Sequence, residues 1–358
     1  MFMKLNPCAS EKLALRTTSS CLLIGLLTIA LVAPASAQNL AGRLTSLTGV
    51  WTGPPLDKNG LPKGFILRDD IQFRTGPDGL ALADPPGPVA WPDGVVPFQF
   101  DANTSAANRA AMLVAMDELM KDYTTNKIHL AFVPRGAQTN YIHIQNSSGN
   151  NSFVGMVGGG QIINIFNWNN TFIMTHELGH ALGLWHEQSR PDRNTYITIN
   201  FGNVESGKEH NFNLQPDWLA GTLTTTYDFS SMMHYDAFAF SANGSATIVA
   251  NAGYDGSGMG QQDHISERDF DDLVNVAEYG RGGSGYVDYR TGGAGAGTLT
   301  TPWSGAINGA AQNAARLLPN PRSRLWVQGS HNYAETGRLV GPQRILAIPG
   351  TGTVRIGP

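Results

Sequence analysis

Apolar and polar positions change period several times along the chain, and the changes mark its elements. After the turn Trp91-Pro92-Asp93-Gly94, the run at 95–100 predicts a strand. Thr104 or Ser105 can then cap a helix reaching about Tyr123, because Met112, Met116, Leu119, Met120 and Tyr123 recur at helical spacing. Residues 128–133, 141–145 and 162–166 are strand-like, and His129 and His143 within them read as structural histidines. Ile173, Met174, Leu178, Ala181, Leu182 and Leu184 supply the apolar face of a second helix, which Thr171 can cap. A loop-rich stretch follows. Ser266 can cap a last helix through Asp269, Phe270, Leu273 and Val274 to Tyr279.

The flanks differ in character. Lys4, Lys12 and Arg16 precede an apolar run at 21–32, and Ala35-Ser36-Ala37 offers a small-residue cleavage site, so residues 1–37 read as an export signal cut after Ala37. The apolar run is short for a membrane span. Residues 38–90 are rich in Gly, Pro and Asp and read as a pro-segment ending in the linker Asp84-Pro85-Pro86-Gly87-Pro88. Residues 91–280 form the main domain. From 281 a Gly-rich linker leads to a small β-rich appendage, whose repeats weakly resemble the opening coils of a parallel β-helix.

Composition narrows the function. The 358 residues carry 24 Lys plus Arg against 28 Asp plus Glu, a formal charge of -4, which gives no reason to expect nucleic acid or an anionic membrane as partner. A monomer is expected. Both cysteines, Cys8 and Cys21, lie in the export signal, so the exported chain has no disulfide and must rest on core packing and metal.

The chemistry concentrates in His176-Glu177-Leu178-Gly179-His180-Ala181-Leu182-Gly183-Leu184-Trp185-His186. On a helix, His176 and His180 project from one face towards one ion. Gly183 can end the helix in the left-handed region, which lets His186 return as a third ligand. Three nitrogens leave a fourth position open, the mark of a catalytic Zn2+ site. Glu177, beside the first ligand, can deprotonate a water held there. Two surface histidines on an amphipathic helix would explain a bare H-E-x-x-H, but not the added Gly183 and His186. The nearby glycines at 155–160 lack the Lys-Ser/Thr ending of a phosphate loop.

Downstream, Ser231-Met232-Met233-His234-Tyr235 resembles the Met-turn of metzincin metalloproteases. With Glu187-Gln188-Ser189-Arg190-Pro191-Asp192-Arg193 after the third histidine, the chain from about Trp91 to Tyr279 resembles the astacin family in particular. The resemblance implies an α+β fold: a twisted, antiparallel-edged sheet, two long helices above a cleft and a loop-rich lower half. It implies that Met233 forms the apolar floor of the zinc site, that Tyr235 is a further ligand which stabilises the oxyanion, and that Ser152, Phe153, Val154 and Gly155 belong to an edge strand on which substrate adds. Glu187 would pair with the N-terminus released on activation; an ordinary exposed carboxylate is the alternative. Asp78, in Phe73-Arg74-Thr75-Gly76-Pro77-Asp78, is a candidate for the aspartate that masks the metal in family precursors, though it is off pattern and a solvated turn aspartate also explains it. Arg190, Asp192 and Arg193 read as a structural charge network, and residues 254–262, without Arg or Lys, as a pocket wall. The implied activity is that of a secreted zinc endopeptidase on extracellular proteins or peptides. A catalytically silent metal-holding protein and a structural zinc protein are the alternatives, and an intact Glu177 and Tyr235 argue against both.

Overall fold

The computed structural model describes residues 47–75, 90–120, 130–215 and 226–277, and beyond them only short strands. Residues 1–37, read above as an export signal, Asp78 and residues 84–88 lie outside the described residues.

A short hairpin comes first. β1 (Phe65–Arg68) pairs antiparallel with β2 (Ile71–Arg74), and Asp69 and Asp70 form its two-residue tip. The main sheet contains β3 (Val95–Phe100), β4 (Ala131–Pro134), β5 (Tyr141–Asn146) and β6 (Gly160–Ile165), in the order β4-β3-β5-β6 with every pairing parallel. The antiparallel edge is a single bridge, where Asn151 pairs with Asn164 beside β6. α1 (Ala106–Met120) and α2 (Thr171–Leu182) pack on each other and close the core against one face of the sheet. Alternation explains which side chains enter it: Val96, Phe98 and Phe100 of β3 and Ile142 and Ile144 of β5 meet Met112, Met116 and Leu119 of α1. Asn108 N donates to Ser105 Oγ, so Ser105 caps α1 as anticipated. Asn170, not Thr171, caps α2: its carboxamide oxygen accepts from Ile173 N while Thr171 is already helical.

The opposite face of the sheet is buried but polar. Gln99, His143, Gln145 and Asn164 line it, under a cover made by residues 47–75. Gln99 Nε2 donates to Val50 O (3.1 Å), and Gln145 Nε2 to Gly60 O (3.1 Å). Gln72 Nε2 donates to Asn151 Oδ1 (2.7 Å) and Ile162 O (3.2 Å).

The lower half is mostly loop, held by an aromatic cluster of Phe212, Tyr227, Phe240 and Tyr235 around Ile197 and Ile248. These last two lie on the antiparallel pair β7 (Ile197–Ile199) and β8 (Ile248–Ala250). α3 (Glu267–Ala277) follows, with Ser266 Oγ accepting from Asp269 N and Asp269 Oδ2 from Ser266 N, a reciprocal cap. Beyond it, Arg324–Val327 pairs in parallel with both Ser284–Val287 and Arg344–Ala347, and Asn332–Tyr333 with Arg355–Ile356.

Candidate metal centre and cleft

α2 brings two of the three histidines to one face, and its ending brings the third. Gly183 has φ +119°, and its N–H donates to Gly179 O (3.1 Å) and His180 O (2.8 Å). A side chain rarely adopts that backbone conformation, so glycine here is what turns the chain back. The nitrogens of His176, His180 and His186 and one oxygen of Asp70 all lie within 4.8 Å of one another.

The donor set fits a metal ion. Nδ1 of His176 donates to Met232 O (2.8 Å) and Nδ1 of His180 to Leu184 O (2.7 Å), and a carbonyl can only accept. Those bonds place the proton on Nδ1 of the neutral rings and leave Nε2 with its lone pair directed at the centre. There, Nε2 of His180 and of His186 stand 3.2 Å apart, and Asp70 carboxylate oxygens stand 3.1 Å from Nε2 of His176 and of His186. So many lone pairs converging in a buried site repel one another, and a cation at their centre satisfies all of them. Burial lowers the His180 pKa to about 4, which keeps its lone pair available. Burial acts the same way on His176, but the Asp70 carboxylate outweighs it and raises that ring.

Glu177 lies beside this cluster, 1% exposed, and its Oε2 has no partner among the described residues. Burial, then the Asp70 and Asp69 carboxylates, push it well above the usual range. It lines a cleft of about 330 Å³ together with Phe172, Ile173, Gly260, Gln261 and Gln262, so the far end of the 254–262 segment does wall the cleft.

Met233 lies under α2. A Cβ on Gly179 would come within 3.1 Å of Met233 Sδ and 2.7 Å of Met232 Cε, so the helix approaches the methionine turn as closely as glycine allows. Asp269 holds the turn from below, accepting from Ser231 Oγ (2.5 Å) and Met232 N (2.9 Å). Glu187 N donates to Met233 O (3.0 Å), tying the turn to the residue after His186. Gly179 and Asp269 did not stand out in the sequence: one reads as a helical spacer, the other as a first-turn helix residue.

Glu187 is buried, not an exposed carboxylate. It faces Arg190 Nη1 (3.3 Å) and accepts from Asp228 N (2.8 Å), while burial raises its pKa well above the usual range. Arg190 also grips Asp192 through Nε and Nη2, at 2.9 and 3.0 Å. Arg193 departs from the expected charge network: it donates to the carbonyls of Gln188 (2.7 Å) and Phe212 (2.9 Å) and to Asn194 Oδ1.

At the edge of the cleft, Ser152 N donates to Asp70 O (2.8 Å) and Gln72 N to Ser152 O (2.7 Å), so the hairpin adds to the sheet beyond β6. Val154 packs with Ile71, Phe73 and Trp185, Phe153 meets Phe65 edge-on at 4.9 Å, and Gly155 N donates to His180 O (2.8 Å). The Tyr235 hydroxyl donates to Asp69 Oδ2, and its ring lies 4.6 Å from that of His186. The carboxylate at the metal position among the described residues is thus Asp70. An Asp-Asp tip without glycine gave no strong hairpin signal in the sequence.

Three histidines on a helix and its glycine-ended return, a carboxylate beside the first and a methionine turn underneath define a metzincin-type metal centre. More narrowly, residues 87–277 match the family model of the astacin peptidases, and the chain belongs to that family. It is 34% identical to zinc metalloproteinase nas-15 of Caenorhabditis elegans over 181 residues, 50% of this chain and 30% of that protein. It is 34% identical to meprin A subunit beta of Rattus norvegicus over 181 residues, 50% of this chain and 25% of that one. Among solved structures, high choriolytic enzyme 1 of Oryzias latipes, a hatching enzyme zinc-protease, matches with 29% identity and a TM-score of 0.48 over 56% of this chain and 98% of its own. The chain therefore spans less than a third of the length of these two curated relatives.

Proposed function

We propose that this chain is a secreted zinc endopeptidase acting on extracellular proteins or peptides, exported by residues 1–37. The observation that carries the reading is the convergence of the three Nε2 atoms beside Glu177, whose Oε2 lacks a partner. His176, His180 and His186 would hold Zn2+, with Tyr235 as a further ligand. Zn2+ in such a site polarises the scissile carbonyl and lowers the pKa of water. Glu177 takes the proton of the attacking water and passes it to the leaving amine. The Tyr235 hydroxyl, once free, donates to the developing oxyanion. Of the expected edge strand 152–155, only Ser152 forms a strand bridge, and Gly155 N is already bonded to His180 O. The main chain at Ser152, which holds Asp70 and Gln72 here, is the part that would hold an extended peptide. Phe172, Ile173 and the amides of Gln261 and Gln262 offer no cation to the residue after the scissile bond, so an acidic preference there has no support.

In the same reading residues 38–90 are a pro-segment, and Asp70 blocks the metal position until it is removed. The activated protein, treated with a trace of trypsin and loaded with Zn2+, should hydrolyse casein. Glu177→Ala should lose at least about 100-fold of that rate while binding equal zinc. Equal activity in Glu177→Ala would overturn the mechanism, and full activity after exhaustive chelation would overturn the metal assignment. Asp70→Ala should raise the activity of the uncleaved chain, whereas an uncleaved variant as silent as the parent would remove Asp70 from latency.

A further inference from the structure

The tip of the first hairpin carries two acids in a place where one would block the metal position. Asp69 is the first of its two loop residues and has φ +56°, a conformation that favours glycine. An aspartate tolerates it at some cost. Its side chain reaches the Tyr235 hydroxyl, which donates to Asp69 Oδ2, while Asp70 takes the place among the histidines. Asp69 is therefore a costly residue by backbone, and the bond to Tyr235 is its visible return.

We propose that Asp69 is a second lock of the precursor, separate from Asp70, which pins Tyr235 so that its hydroxyl serves no substrate while the hairpin is docked. The proposal rests on reading residues 38–90 as a removable pro-segment and Tyr235 as a working residue. Two adjacent carboxylates on one rigid turn then occupy two different parts of the machinery. Asp70 fills the metal position and Asp69 engages the side chain beside it.

The test uses the full-length, zinc-loaded chain and measures hydrogen exchange of the β2 amides in the parent, Asp69→Gly, Tyr235→Phe and the double variant. Glycine relieves the backbone at this site and would by itself tighten the turn. Asp69→Gly should instead raise the exchange of Ile71 and Gln72 by about ten-fold, the order of one charge-assisted hydrogen bond. Tyr235→Phe should do the same, and the double variant should exchange no faster than either single one, since both remove one bond. Unchanged or slower exchange in Asp69→Gly, or effects that multiply in the double variant, would overturn the lock. Activation of the parent, run alongside, tests the underlying reading: if trypsin cleavage that removes residues 38–90 brings no casein hydrolysis, the pro-segment assignment fails, whatever the Asp69 variants show.

Discussion

At the scale of single residues the site depends on two glycines used for opposite reasons. Gly183 supplies a backbone angle and Gly179 supplies missing volume. Gly179→Ala should stabilise an isolated helix by about 1 kcal/mol. In this chain it should destabilise by about 1–3 kcal/mol, because Met232 and Met233 are both buried and cannot withdraw freely. A urea titration of the two proteins decides the sign, and a more stable variant would show that the methionine turn yields. The H-E-x-x-H-x-x-G-x-x-H pattern was legible because it is local: ligands, base and helix-ending glycine all sit between His176 and His186. Asp70 was not, because its meaning comes from contact with histidines more than a hundred positions away, and nothing in a Gly- and Asp-rich segment says which aspartate reaches them.

Elements near a good local signal were placed well. β3 falls at 95–100 as its apolar run predicts, and α2 ends at Gly183. The order of the sheet was not readable, since parallel strands pair across long connections and no turn residue announces the partner. The cap of α2 shows how fine the margin is: Asn170 and Thr171 are both good capping residues, and the neighbour one position earlier took the role. Asn170→Ala should cost about 1 kcal/mol in thermal or denaturant unfolding. Gly183→Ala should cost about 2 kcal/mol and weaken zinc binding together, since one turn sets both the helix end and the place of His186. A Gly183→Ala protein with undiminished zinc affinity in a chelator competition would separate the two.

At the scale of the molecule, buried histidines outside the metal cluster set a limit in acid. Burial lowers the pKa of His143, against the pull of Asp101, and lowers His234 to about 4. Both rings are 5% exposed or less. Between the unfolded histidine value near 6.5 and the lowered folded values, the unfolded chain binds more protons, so stability rises with pH across that window. The contribution of these two rings to the unfolding temperature of the metal-free protein should therefore shrink from about pH 7 to about pH 5. It does so against the buried carboxyls of Glu177, Glu187 and Asp269, whose raised values act the other way. A His143→Gln variant, whose amide does not titrate, should lose less stability than the parent between those two pH values; an equal change would clear His143 of the effect.

The polar underside of the sheet has its own consequence. A cover that is to be removed can bury oil or it can bury groups that water will accept in its place. Here residues 47–75 shield Gln99, His143, Gln145 and Asn164, each already bonded through atoms that solvent can serve equally well. On the proposed reading of residues 38–90 as a pro-segment, that polar patch would rewet on their removal. The apolar surface set free would be confined to the cleft edge, where Val154, Trp185 and Phe153 would lose Ile71, Phe73 and Phe65.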